Sequence, residues 1–293
     1  MSPTRRAFIA GLGAAAALPW SGVPAVSAQT GLLPLKTPKI DHLDVIVPNV
    51  EATARFYMGV FRTALHAQQF QGGQRYFVLF GDLPANRQVG YVAIGDSRGR
   101  PTAIGHFCTS VFDYRANAAA ITAAVNAAAE MAGVGGLTGR GTIGGLFTDQ
   151  DGIEIQFLPA PDTLVTAAMP SKLVEWNKGL VTPTGVDHVL LHVADLERAV
   201  RFYRILYGKE ATRETSPARV WFVIGDTRLG LEQAPAGQKP RIDHFGVKVA
   251  GFDRRVVSDG LTKLGAKLVQ SPAEGDTLRF MDTDGNAVEL IGT

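Results

Sequence analysis

The chain has 293 residues, 46% hydrophobic and 19% charged, with a formal net charge of +2. That length accommodates two ordinary domains, and the composition excludes a disordered polymer. No polybasic block gives a reason to expect nucleic acid as a partner, and Cys108, the single cysteine, excludes an intrachain disulfide.

The first element in chain order is a leader. Residues 1–28, "MSPTRRAFIAGLGAAAALPWSGVPAVSA", join a basic start, an Ala/Gly/Leu middle and a small-residue end, which predicts a secretory signal cleaved after Ala28. Arg5 and Arg6 followed by Phe8 resemble the twin-arginine export signal, a receptor-read address. The competing reading, an uncleaved anchor helix, is opposed by Pro19 and Pro24 and by the short run. The expected location is the periplasm or the exterior, with no stable membrane anchor after cleavage. The leader carries two basic and no acidic residues, so the remaining charges balance.

An internal repeat organises the rest. "IDHLDVIVPNVEATARFYMGVF" from Ile40 aligns without a gap on "VDHVLLHVADLERAVRFYRILY" from Val186. His42 falls on His188, Glu51 on Glu197, and Arg55-Phe56-Tyr57 on Arg201-Phe202-Tyr203. Each copy reads as an apolar strand, a cap at Asn49 or Asp195, and an amphipathic helix with Phe and Tyr inward and Arg outward. "RYFVLFGD" from Arg75 then parallels "RVWFVIGD" from Arg219.

A weaker copy follows in each half. "GHFCTSV" at Gly105 and "DHFGVKV" at Asp243 open with a histidine and precede helices expected over 117–131 and 254–264. The halves close with "DQDGIEIQF" and "DTDGNAVEL". The unit is βαβββ, four times over: an N-terminal module at 37–160, a linker at 161–183 with a short helix at "SKLVEWNKG", and a C-terminal module at 184–293. No Gly-rich phosphate loop follows a strand, no Ser-His-Asp order or cysteine nucleophile stands out, and Cys108 reads as a small buried residue.

His42, His106, His188 and His244 open the four equivalent strands. An imidazole in an apolar strand costs desolvation unless it is partnered, so recurrence at one position points to ligands or their remnants. His192 shares a strand face with His188, about 13 Å further along. It is a candidate catalytic acid–base group or substrate contact, or else a side chain satisfied by a nearby carbonyl. Arg219, Trp221 and Arg279 lie on middle strands as candidate substrate contacts, since an inward arginine orients a carboxylate; solvated arginines and a core tryptophan are the other reading.

With these repeats the sequence resembles the vicinal oxygen chelate superfamily of glyoxalase I, bleomycin-resistance proteins and extradiol dioxygenases, over about 38–293. The resemblance implies an α+β fold in which two paired modules, each of two βαβββ units, form curved mixed sheets around a cavity that commonly holds a divalent metal. Four units look most like the extradiol dioxygenases, whose C-terminal pair holds iron. The family pattern sets a ligand carboxylate four residues beyond the Gly of the Asp-Gly turn, which is Glu289 after Gly285. After Gly152 the same spacing gives Gln156, with Glu154 on the same strand face. The resemblance thus implies a metal set of His188, His244 and Glu289, with Glu232 as an optional fourth ligand or else a strand-end glutamate. His42, His106, Gln156 and Glu154 form the alternative N-terminal set. Fe(II) is favoured for two histidines and one carboxylate, with Mn, Zn or Ni as alternatives. The further histidine and tyrosine that extradiol dioxygenases carry in the fourth unit are missing between His244 and Glu289. The expectation is an exported metal enzyme, dioxygenase-like, acting as a monomer or homodimer on a small substrate chelated through vicinal oxygens. A glyoxalase-like lyase or isomerase and a non-catalytic small-molecule binding protein are the alternatives.

Overall fold

The computed structural model describes residues 31–70, 73–81, 90–140, 145–160, 179–269 and 275–293. The leader at 1–28 and all but Gly179 of the short helix expected at 171–179 lie outside these residues. The first unit runs β1 (Lys39–Val47), α1 (Val50–Val60), β2 (Leu65–Phe70), β3 (Gly73–Phe80) and β4 (Gly90–Asp96). The second comprises β5 (Ala103–Phe112), α2 (Tyr114–Met131), β6 (Thr138–Arg140), β7 (Leu146–Thr148) and β8 (Glu154–Ala160). The third has β9 (Thr182–Val193), α3 (Leu196–Tyr207), β10 (Thr212–Thr215), β11 (Ala218–Ile224) and β12 (Thr227–Gln233). The fourth has β13 (Arg241–Ala250), α4 (Arg254–Lys263), β14 (Lys267–Val269), β15 (Thr277–Met281) and β16 (Ala287–Gly292).

Two units share each sheet. The orders β2-β3-β4-β1-β5-β8-β7-β6 and β10-β11-β12-β9-β13-β16-β15-β14 are the same topology twice. In each sheet the two strands that carry the repeated histidines are antiparallel neighbours, β1 with β5 and β9 with β13. The helices start where the sequence puts their caps: Asn49 accepts from the Ala52 N–H and Asp195 from the Arg198 N–H. No helix among the described residues is long and apolar enough to cross a membrane.

Period-two alternation sorts each sheet into two faces. Val189, Leu191, Val193, Phe245, Val247, Leu278, Phe280, Val288 and Leu290 enter a core shared by both modules, together with Phe56, Tyr57, Phe202 and Tyr203 of the helices. The intervening residues, His188, His244, Arg279 and Glu289 among them, therefore lie on the opposite face. Arg55 and Arg201 are exposed, as the helical pattern requires.

The modules exchange buried hydrogen bonds. Tyr57 of α1 donates to Asp282 Oδ2 at 2.8 Å, and Tyr203 of α3 donates to Asp149 Oδ2 at 2.8 Å. Each aspartate closes an Asp-x-Asp-Gly turn with its other oxygen, which accepts from the N–H groups of Asp151 and Ile153, or of Asp284 and Asn286. Gly152 and Gly285 complete the turns at φ of 81° and 89°, where a side chain is strained. The second aspartates are held the same way: Thr53 donates to Asp284 at 2.5 Å, and Arg198 and the Ala194 N–H bind Asp151. Burial pushes the carboxyls of Asp149 and Asp282 above their ordinary range, although every one of these bonds pulls the other way.

The two locks differ in one partner. Asn286 Nδ2 also donates to Asp282 Oδ2 at 3.0 Å, whereas Tyr203 is the one hydrogen-bond donor to Asp149 Oδ2 among the described residues. Tyr203→Phe is therefore expected to lower unfolding stability by about 1–3 kcal/mol, the usual cost of orphaning a buried acceptor, and Tyr57→Phe by less. Urea denaturation of both variants checks this, and an equal or larger loss in Tyr57→Phe would contradict it.

Candidate functional site

The four repeated histidines lie inside their strands rather than at the openings, since β1, β5, β9 and β13 begin at Lys39, Ala103, Thr182 and Arg241. They owe their orientation to irregularities beside them. The β1–β5 register skips Asp41 and Gly105, and the β9–β13 register skips Asp187 and Asp243, so every histidine follows a bulged residue. A bulge breaks the alternation of faces and lets two consecutive side chains meet. His42 Nδ1 lies 2.8 Å from Asp41, His188 Nδ1 2.7 Å from Asp187, and His244 Nδ1 2.9 Å from Asp243. An Nδ1–H given to a carboxylate fixes the tautomer and leaves the Nε2 lone pair pointing away. The sequence reading missed these aspartates, although the dipeptide Asp-His in three of the four copies was their signal. In the remaining copy Gly105 holds the bulge, and His106 Nδ1 instead faces Asp44 of the neighbouring strand at 3.4 Å.

In the C-terminal module the ligand atoms of His188, His244 and Glu289 all lie within 4.8 Å of one another. Glu289 Oε2 is 3.6 Å from His188 Nε2 and 3.5 Å from His244 Nε2. Gly246 pairs with His188 across the sheet, and a Cβ there would come within 2.4 Å of the His188 ring, so the glycine makes room for the imidazole. Burial opposes ionisation of Glu289, but the neighbouring His244, His188 and Arg279 hold its carboxyl down to about 2. Burial likewise opposes ionisation of Asp187 and Asp243, yet both are held down to about 2. His188 and Arg228 do this for Asp187; His244, His192 and Arg241 do it for Asp243. Burial lowers His188 below the ordinary histidine value.

These residues fit a divalent first-row ion in their donor chemistry. Two imidazoles and one carboxylate form the facial set that such ions take while keeping open positions. The buried His188 Nε2 makes no hydrogen bond. Arg279 already contacts the other two ligands, its guanidinium donating to His244 Nε2 at 2.7 Å and to Glu289 Oε2 at 3.2 Å.

The remaining candidates of this half gather beside the triad. Glu232 accepts two hydrogen bonds from Arg219, at 2.9 and 2.5 Å, as its direct cross-strand partner, and lies outside the three-residue group. His192 sits 3.2 Å from Asp243 through Nδ1 and 3.9 Å from Glu232 through Nε2, and burial lowers its pKa. His192 Nδ1 makes no hydrogen bond among the described residues, so of the two histidines beside Asp243 only His244 is bonded to it. Trp221 is buried, donates to Glu214 at 2.8 Å, and meets the His188 ring edge-on at 5.5 Å between centroids. Arg219 and Arg228 lie 5.6 and 5.1 Å from the Trp221 ring, within cation–π range.

The N-terminal module closes on itself. His42 Nε2 and His106 Nε2 are 3.4 Å apart, so one donates to the other. Gln156 stands where Glu289 stands in the other half and is hydrogen-bonded to His106; Glu154 is the cross-strand partner of His106. Tyr91 stacks on His42 at 4.3 Å. Burial takes His106 down to about 4, against the pull of Asp44. Asp41, His42 and Cys108 also bring ligand atoms within 4.8 Å of one another, on the Nδ1 side that the Asp–His pair already uses.

These shifts give the metal-free protein an acid-sensitive stability. His106, His188 and His192 bind protons more weakly folded than unfolded, so stability falls as pH drops below 6.5 toward about 4 at His106. Asp187, Asp243 and Glu289 have depressed folded values, so their contribution is present above the unfolded range near 4 and is lost as pH falls toward about 2. Urea midpoints are expected to decline from pH 7 to pH 3. His106→Gln should flatten the upper part of the decline and Glu289→Gln the lower part; a profile level across this range would refute the assignment.

The family comparisons cover both halves. Residues 188–291 match the model of the "Glyoxalase-like domain", and residues 39–157 match that of the "Glyoxalase/Bleomycin resistance protein/Dioxygenase superfamily". No curated protein sequence matches the chain. Among solved structures, the 2,3-dioxygenase LapB from Pseudomonas sp. KL28 is similar at 17% identity and a TM-score of 0.63, covering 89% of this chain and 93% of that one. The Mn(II)-bound glyoxalase from Novosphingobium aromaticivorans aligns at 15% identity and 0.60, covering 88% and 83%. A catechol 2,3-dioxygenase aligns at 15% and 0.60, covering 88% and 89%. At these identities the structural likeness concerns the fold, and it agrees with the two family models: this chain, four βαβββ units in two modules, belongs to the vicinal oxygen chelate superfamily.

Proposed function

We propose that this protein is an exported divalent-metal enzyme that acts, dioxygenase-like, on a small substrate chelated through two neighbouring oxygens. The observation that carries the reading is the buried His188–His244–Glu289 group, with an aspartate on each Nδ1. The metal, Fe(II) by preference, would supply Lewis acidity toward a chelated substrate and open positions for oxygen. Asp187 and Asp243 hold the two imidazoles with their Nε2 lone pairs toward Glu289. Arg279 contributes a cation beside the carboxylate, suited to an anionic substrate group. His192, 3.9 Å from Glu232 through Nε2 and 3.2 Å from Asp243 through Nδ1, is the nearby group that would hold a proton. Export rests on the leader at 1–28.

Two observations bear on the alternatives. A glyoxalase-like lyase or isomerase site with a fourth acidic ligand would draw on Glu232, but Arg219 engages that carboxylate with two hydrogen bonds. A non-catalytic binding protein is favoured by Arg279, whose guanidinium touches two of the three ligands. Metal analysis of protein isolated without chelators separates these readings. We expect one first-row ion per chain, lost in Glu289→Ala and kept when Glu154 and Gln156 are both changed to Ala. Metal that persisted in Glu289→Ala and vanished in the double variant would move the centre to the N-terminal module. No metal in any preparation would leave the binding-protein reading.

A further inference from the structure

We infer that Arg279 is a tethered competitor for the metal, holding the ion's place between His244 and Glu289 and thereby setting how tightly the C-terminal triad takes an ion. The inference rests on the triad being the metal centre. The guanidinium donates to His244 Nε2 at 2.7 Å and to Glu289 Oε2 at 3.2 Å, the same two atoms an ion would use. Metal–ligand bonds of roughly 2.0–2.2 Å leave no room for a guanidinium nitrogen at those atoms. Occupancy by one cation therefore excludes the other.

The competitor cannot diffuse away. Arg279 and Glu289 are direct cross-strand partners on β15 and β16, and the flanking Leu278 and Phe280 are buried in the core. The backbone is fixed, so an arriving ion displaces the side chain alone, which is 28% exposed and has solvent to turn into. Its own attraction to Glu289 is lost in that movement, and it stays within a side chain's length of a second positive charge. Both effects weaken metal binding relative to the same triad without it.

The other module supplies the contrast. Gln156 holds the position of Glu289, and its cross-strand partner on β7 is Leu146, where the C-terminal module has Arg279. Where the carboxylate is replaced by a neutral amide, the direct partner across the strands is aliphatic. The arginine accompanies the ionised ligand.

The test compares the full chain with Arg279→Met and Arg279→Gln, each stripped of metal with chelator and dialysed. Mn(II) is titrated calorimetrically and by quenching of tryptophan fluorescence, since Trp221 lies 5.5 Å from the His188 ring. Both variants should bind Mn(II) roughly tenfold more tightly or better, a modest part of what a unit charge contributes at this range. Arg279→Lys, which keeps the charge on a shorter and more mobile donor, should fall between. Circular dichroism identifies any variant that fails to fold, and the remaining substitutions then decide. Affinities within about twofold of the parent, all dependent on Glu289, overturn the competitor and leave the metal centre standing. Absence of Mn(II) binding in the parent and variants alike, or binding undiminished in Glu289→Gln, overturns both.

Discussion

The hydrogen bond from Tyr57 to Asp282 ties the geometry of one half of the molecule to the other. Asp282 closes the turn that feeds β16, and β16 carries Glu289, so the candidate ligand carboxylate is positioned by a helix of the opposite module. Tyr203 and Asp149 repeat the arrangement in reverse, at the turn that feeds β8 and Gln156. The apolar core behaves likewise, since the inner faces of both sheets and the helices belong to one continuous cluster. Each module supplies structure that its partner lacks, and the faces turned away from this shared core are the ones left for chemistry.

On those outer faces the same scaffold reaches two electrostatic solutions. The C-terminal module keeps an ionised carboxylate between two oriented imidazoles and balances it with Arg279. The N-terminal module has Gln156 and Leu146 at the corresponding positions, and its two imidazoles bond each other. A neutral amide needs no counter-cation, so the His–His contact forms where the other half keeps an acid–base pair. The difference runs through three positions: Gln156 for Glu289, Leu146 for Arg279 and Gly105 for Asp243.

What was legible in the sequence was local. The histidine-bearing strands, the Asn49 and Asp195 caps, and the Phe-Tyr pairs on the helices depend on near neighbours and are where the repeat puts them, although the histidines lie inside their strands. The family pattern named Glu289 from its distance to Gly285, and the fold sets its carboxylate within 4.8 Å of ligand atoms of His188 and His244. What escaped depends on register between strands. Arg219 and Glu232 read as two separate candidates, and the sheet makes them one ion pair. Arg279 read as a substrate contact, and its pairing with Glu289 places it on the ligands themselves. Tyr57 and Tyr203 read as packing; their hydroxyls find partners more than fifty residues away.

The bulges before the histidines also bear on inheritance. A ligand and the acid that orients it normally come from distant parts of a chain, so duplication and drift can separate them. Here they are consecutive residues, and Asp-His passes from copy to copy as a two-residue cassette that needs only an irregular strand to work. At Gly105 the bulge is present without the acid, and His106 faces Asp44 on the strand beside it at a longer 3.4 Å. One substitution at such a bulge can therefore remove the acid and leave the strand's shape intact, so the backbone alone does not tell whether its histidine is oriented.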